Sequence, residues 1–144
     1  MEDQETLAVE GFAMMNRKRL WSIVLMAYIV LVFYLAVISR DVVKQSFIST
    51  DLFRCYLQPS GISYRDVLVN IVGFIPVGVL VGMLSRRHRV AKALLAGVVL
   101  SMAIEGSQLV WKKGVFDVDD IFNNAVGAVI GGGIAFVVMR LKNA

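Results

Sequence analysis

Apolar residues fill four long windows of this chain, separated by clusters of charge and turn residues. Leu20 to Ile38 is free of charge and carries Trp21 and Tyr34 near its edges. Val67 to Leu84 is interrupted only by Asn70, and Val90 to Val110 holds Lys92 and Glu105. Ile121 to Met139 has Asn123 and Asn124 near its start and is otherwise apolar. A helix rises about 1.5 Å per residue and the hydrocarbon core is about 30 Å thick, so about 20 such residues cross it. The pattern predicts four membrane-spanning helices in a small bundle, an all-α polytopic membrane protein.

The windows leave one membrane domain over residues 20–140, a leader over 1–19 and a tail over 141–144. The leader holds Glu2, Asp3, Glu5 and Glu10 and no base before Arg17, and reads as a short disordered segment. Met14 and Met15 offer alternative start positions. The first window is longer than a signal-peptide core of about 7–15 residues. No A-x-A site follows it at Ile38-Ser39-Arg40, so an uncleaved anchor is expected.

Composition agrees with the pattern. The chain of 144 residues is 58% hydrophobic and 18% charged, where soluble domains hold about 45–50% and about 25%. Too little polar side chain remains to cover a soluble core of this kind. That excludes a cytosolic enzyme, a disordered chain and a nucleic-acid-binding domain, although the net charge is +4. The single cysteine, Cys55, excludes an internal disulfide and a cysteine metal cluster. A lone histidine, His88, excludes a multi-histidine metal site.

The positive charges mark orientation. Arg17, Lys18 and Arg19 precede the first span, Arg86, Arg87, Arg89 and Lys92 fill the short second loop, and Arg140 and Lys142 follow the fourth span. The other side has Arg40, Lys44, Arg54 and Arg65 in a long loop, plus Lys112 and Lys113. The denser side predicts cytoplasmic termini. The 86–92 loop then fixes topology and touches anionic headgroups; no aromatic platform points to nucleic acid.

One spacing recurs on three spans. Asp66, Asn70 and Gly73 fall at i, i+4 and i+7, one helix face, as do Ser101, Glu105 and Gln108, and again Asp120, Asn124 and Gly127. These polar residues sit at the outer ends of their spans, so topology and periodicity bring them to one depth. Asp117 and Asp119 join from the connecting loop. Ala93, Gly97 and Ser101 lead to Glu105 in steps of four, while Gly78/Gly82 and Gly127/Gly131 form GxxxG pairs. Such small residues pack helices within a chain or between copies, so a homo-oligomer through glycine-rich faces is one expectation. Pro76 is expected to kink the second span and free a backbone carbonyl.

Glu105 lies about 9 Å inside the span end near Trp111. A carboxylate there costs about 2–3 kcal/mol. It either snorkels or is protonated beside Gln108 or Asn124, or it lines a water-accessible cavity as an acid, base or ligand. In Asp117-Val118-Asp119-Asp120, one or two acids can cap the fourth helix. The remainder need a cation, Lys112/Lys113 or a substrate amine. Oxygen ligands at this density suit Mg²⁺ or Ca²⁺, although no EF-hand spacing accompanies them; the acids assign no metal by themselves.

Three stretches carry a family resemblance. S-Y-R-D-V-L-V-N-I-V-G-F-I-P-V-G from Ser63, S-M-A-I-E-G-S-Q from Ser101 and F-D-V-D-D-I-F-N-N-A-V-G from Phe116 together resemble the VanZ-like family over roughly residues 20–140. The matching positions are Asp66, Asn70, Gly73, Phe74, Pro76 and Gly78, then Ser101, Glu105 and Gln108, then Asp117, Asp119, Asp120, Asn124 and Gly127. Where that family often has an arginine shortly before the acidic block, this chain has Lys112-Lys113-Gly114. The resemblance implies a small bacterial inner-membrane protein linked, through the family's founding member, to teicoplanin resistance, and supplies no agreed reaction.

Two functions follow as expectations. One is an outward-facing site for an envelope ligand, such as a lipid-linked cell-wall precursor or a glycopeptide, bound through Asp66, Asn70, Ser101, Gln108, Asp117, Asp119 and Asn124. The other is a membrane-embedded enzyme on a lipid substrate, with Glu105 and Asp120 as catalytic carboxylates and a divalent ion as one option. A scaffold within an envelope complex is a third. Between the first two spans, Phe47 to Leu57 reads either as an apolar interfacial helix over the site, ended by Pro59-Ser60-Gly61, or as a plain loop.

Overall fold

A computed structural model describes residues 2–44, 47–50, 53, 57 and 61–142. Helix α1 runs Glu2–Phe33 and widens into a π-helical turn over Tyr34–Ile38. Helices α2 (Gly61–Leu84), α3 (Arg89–Val110) and α4 (Val118–Leu141) complete an up-and-down bundle. Four segments within these helices are long and apolar enough to cross a membrane: Asn16–Ile38, Tyr64–Leu84, Arg89–Val110 and Val118–Leu141. The fold is the expected all-α bundle.

The leader departs from expectation. Residues from Glu2 are helical and continuous with the first span rather than irregular. Its Glu, Leu, Ala and Met residues favour helix, no proline intervenes, and extending an existing helix avoids the cost of nucleation.

Helix α4 packs most closely on α2 and next on α3, while α1 leans on α2, and few of the residues in its span from Asn16 are fully buried. Backbone proximity explains the tight pairs. A Cβ built on Gly127 would run into the Ile71 carbonyl, and one on Gly131 into the Ile75 carbonyl. On the other face of α4, the place for a Cβ on Gly97 lies 2.5 Å from the Ala128 Cβ. Lipid supplies no hydrophobic drive between helices, so close van der Waals contact of this kind holds them. Gly73 differs, with open space around its Cβ position. Its carbonyl instead accepts a 2.9 Å hydrogen bond from the Tyr28 hydroxyl, tying α1 to α2. Helix α2 continues through Pro76, which removes the donor that would have reached Val72.

At one end, Ser85 to His88 turn the chain between α2 and α3, and Arg89 Nη1 donates to the Gly82 carbonyl at 2.5 Å. At the opposite end, strand β1 (Ile48–Ser49) pairs in parallel with β2 (Phe116–Asp117). Val43 N–H donates to the Lys112 carbonyl at 2.7 Å and Lys113 Nζ to the Arg40 carbonyl at 2.5 Å. The first loop is thereby clipped to the third. The stretch read as a helix or a loop begins as this short strand, and Leu57 N–H reaches the Phe53 carbonyl at 3.0 Å. Leu52, Cys55, Tyr56, Pro59 and Ser60 lie outside the described residues.

Candidate functional site

The end that carries the strand pair also gathers most of the scarce acids. On α3 the line Ala93, Gly97, Ser101 and Glu105 is buried, and small side chains at its lower positions let α4 come close. Glu105 is 2% exposed, and its Oε2 accepts the Asp117 backbone N–H at 3.0 Å. Asp117 is the N-cap of α4, its Oδ1 accepting from Asp119 N–H at 2.9 Å. An N-cap carboxylate satisfies a free helix donor and complements the dipole, so Asp117 has structural work here.

One turn into α4, Asp120 Oδ1 accepts from Asn70 Nδ2 of α2 at 2.6 Å. Asp66, one turn before Asn70, is exposed and close enough for its charge to act on Asp120. Asp117 and Asp120 likewise act on Glu105. One turn from Asp120 and Glu105 along their helices, Asn124 Nδ2 donates to Ser101 Oγ at 2.8 Å, both side chains being almost fully buried. Asn124 Oδ1 has no hydrogen-bond partner among the described residues.

Two of the expected residues, both buried, bond to the segments around this cluster. Gln108 Nε2 donates to the Ala36 carbonyl at 2.9 Å, satisfying one of the free carbonyls at the end of α1. Asp119 Oδ1 accepts Phe53 N–H at 2.5 Å, and the Phe53 ring meets Phe122 edge-on at 5.3 Å. These contacts fasten the first loop over the start of α4. Asp66, Asn70, Ser101, Glu105, Asp117, Asp120 and Asn124 therefore form one polar layer from three helices.

Arg40, expected only as a charge of the long loop, joins them. Arg40 Nη1 lies 3.5 Å from the place a Cβ on Gly114 would take, and its charge acts on both Glu105 and Asp120. No spacing in the sequence links residue 40 to residue 105. The loop clip through Lys113 and Val43 brings it there.

A family model described as VanZ/LLP1 matches residues 18–140. The chain belongs to the VanZ/LLP1 family. Neither the curated proteins nor the solved structures yield a match. Every residue of the polar layer falls inside the matched span, Arg40 included, so this VanZ/LLP1 member builds its candidate site wholly within the family region.

The chemistry open to the layer follows from its donors and acceptors. Carboxylates and carbonyl oxygens predominate, with Arg40 as the cation beside them. Among the described residues no three His, Cys, Asp or Glu side chains are grouped to hold a metal ion. Ser101 is fully buried and its oxygen already accepts from Asn124, which leaves it poorly placed as a nucleophile. His88 sits in the turn between α2 and α3, at the other end of the bundle, away from any of these groups.

Proposed function

We propose that this VanZ/LLP1 membrane protein binds an envelope ligand at the polar layer, through groups on that ligand that donate hydrogen bonds. The carrying observation is Asn124 Oδ1, an acceptor in a side chain 3% exposed with no partner among the described residues. A buried polar group left unpaired costs about 1–3 kcal/mol. A ligand amine, amide or hydroxyl would recover that cost, and the carboxylates of Glu105 and Asp120 favour the same donors. Lipid-linked cell-wall precursors and glycopeptides both carry such groups, and the family's link to glycopeptide resistance agrees with either. The ligand would enter from the outer face, with both termini cytoplasmic.

A second reading rests on the Glu105 and Asp120 pair. Two acids sharing one environment with Arg40 have the makings of an acid and a base for reaction on a lipid-linked substrate. A divalent ion belongs to that reading only.

Teicoplanin susceptibility of cells producing wild type, Glu105→Gln or Asp120→Asn at matched levels tests the shared site. Both variants should lose most of any protection, and unchanged protection in both would sink the proposal. Purified protein incubated with labelled lipid-linked precursor, with and without Mg²⁺, separates the readings. Retention without turnover supports binding; turnover abolished by Glu105→Gln supports the enzyme.

A further inference from the structure

The end opposite the polar layer holds a cavity of about 470 Å³ between α1, the turn after α2, and α4. Arg17, Lys18, Arg86, Arg89 and Lys142 line it together with Trp21. None of its described lining residues is acidic. The five cations come from three separate stretches of chain, residues 17–18, 86–89 and 142, so the fold, and not one local run of bases, concentrates them. Like charges repel when gathered, and a cavity that collects them needs an anion to offset the cost.

The pocket is also preorganised. Arg89 is held by its bond to the Gly82 carbonyl, and Ser85, on the cavity wall, is fixed by its hydroxyl donating to the Val81 carbonyl at 2.7 Å. Trp21 lies near the start of the Asn16–Ile38 span, and tryptophan is enriched at the headgroup boundary. The cavity opens at the ends of apolar spans, where a headgroup is met while its acyl chains stay beside the helices. Its size falls within the usual range for a small-molecule site, about 300–1,000 Å³.

We infer that this cavity is a binding site for the headgroup of an anionic phospholipid, one carrying two phosphates in preference to one. A single phosphate offsets one of the five cations and reaches one side of the cavity, whereas two offset twice the charge and can be contacted from α1, the α2–α3 turn and α4 together. Guanidinium groups suit phosphate oxygens through paired N–H donors. Basic pockets between membrane helices are known to take such headgroups. Positive charge that only fixed topology would need no common cavity.

Native mass spectrometry of the purified full chain in detergent tests this, with diphosphatidylglycerol, phosphatidylglycerol and phosphatidylethanolamine offered at equal concentration. Diphosphatidylglycerol should be retained best and phosphatidylethanolamine least. Arg86→Gln with Lys142→Gln, both exposed positions lining the cavity, should lower its retention roughly tenfold. Arg87→Gln with Lys92→Gln removes equal charge from outside the cavity and should change retention by less than about twofold. Equal losses in the two double variants would mean diffuse surface charge and overturn the site. Equal retention of the one- and two-phosphate lipids would overturn the preference. Inorganic pyrophosphate displacing the lipid at matching concentration would reassign the cavity to a soluble anion and overturn the lipid.

Discussion

Lys112 ends α3 in the left-handed region, at φ 53°, where glycine is the usual occupant. Lys113 N–H bonds back to the Gln108 carbonyl at 2.8 Å and Lys112 N–H to Leu109 at 3.3 Å, the paired pattern of a helix C-cap. The turn aims Lys113 at Arg40 and sends the chain toward Asp117, so its strain serves the polar layer. Lys112→Val should cost about 1–2 kcal/mol because a β-branched residue tolerates this region worst. Thermal melting in detergent reads that loss, and Lys112→Gly should melt no lower than wild type. Asn70→Ala removes a donor from a half-buried carboxylate and should destabilise by about 1–3 kcal/mol. A melting point equal to wild type would show that the Asn70 to Asp120 bond does not hold α2 to α4.

Helix pairing rests on which glycines meet backbone. Gly131, Gly132 and Gly133 are consecutive, yet they face different surroundings. A Cβ on Gly131 would collide with α2, whereas nothing lies within 4 Å of one on Gly133. Gly131→Ala should therefore lose about 1–3 kcal/mol through overpacking. Gly133→Ala should be neutral or gain up to about 1 kcal/mol from helix propensity. Comparing the two melts in one detergent separates interface contact from propensity. Equal shifts would mean that α2 and α4 are not packed as described. Repetition of GxxxG marks such faces in the sequence without naming their partners. Gly73 shares the spacing of Gly127, yet it offers only its carbonyl, because Tyr28 approaches from α1.

At the scale of the molecule, the two ends of the bundle differ in chemistry. One joins carboxylates and Arg40 beneath clipped loops; the other joins five cations around a cavity. Charge density on the second end argues for cytoplasmic termini. On a Cys55→Ser background, Lys44→Cys should react with an impermeant maleimide in intact cells. Arg87→Cys should react only after the membrane is opened. The reverse labelling would turn the molecule over and place the polar layer inside. Both positions are exposed, unlike Gly114, where a new side chain would press on Gln108.

Much of this protein is legible from its sequence, because the signals involved are local. The windows at Leu20 and Val67, and those near Val90 and Ile121, are long enough to span lipid whatever they pack against. The spacing of Asp66 and Asn70, of Ser101 and Glu105, and of Asp120 and Asn124 fixes one face on each helix by geometry alone. Tertiary structure decides what needs two distant segments at once. It uses Asp119 to hold the first loop and Gln108 to hold the end of α1, and it carries Arg40 across to Glu105 and Asp120. It also assembles Arg17, Arg86 and Lys142 into one cavity. Helical periodicity dictates which residues share a face, but rotation and contact between helices depend on where backbones can approach, and that is settled only in the packed bundle.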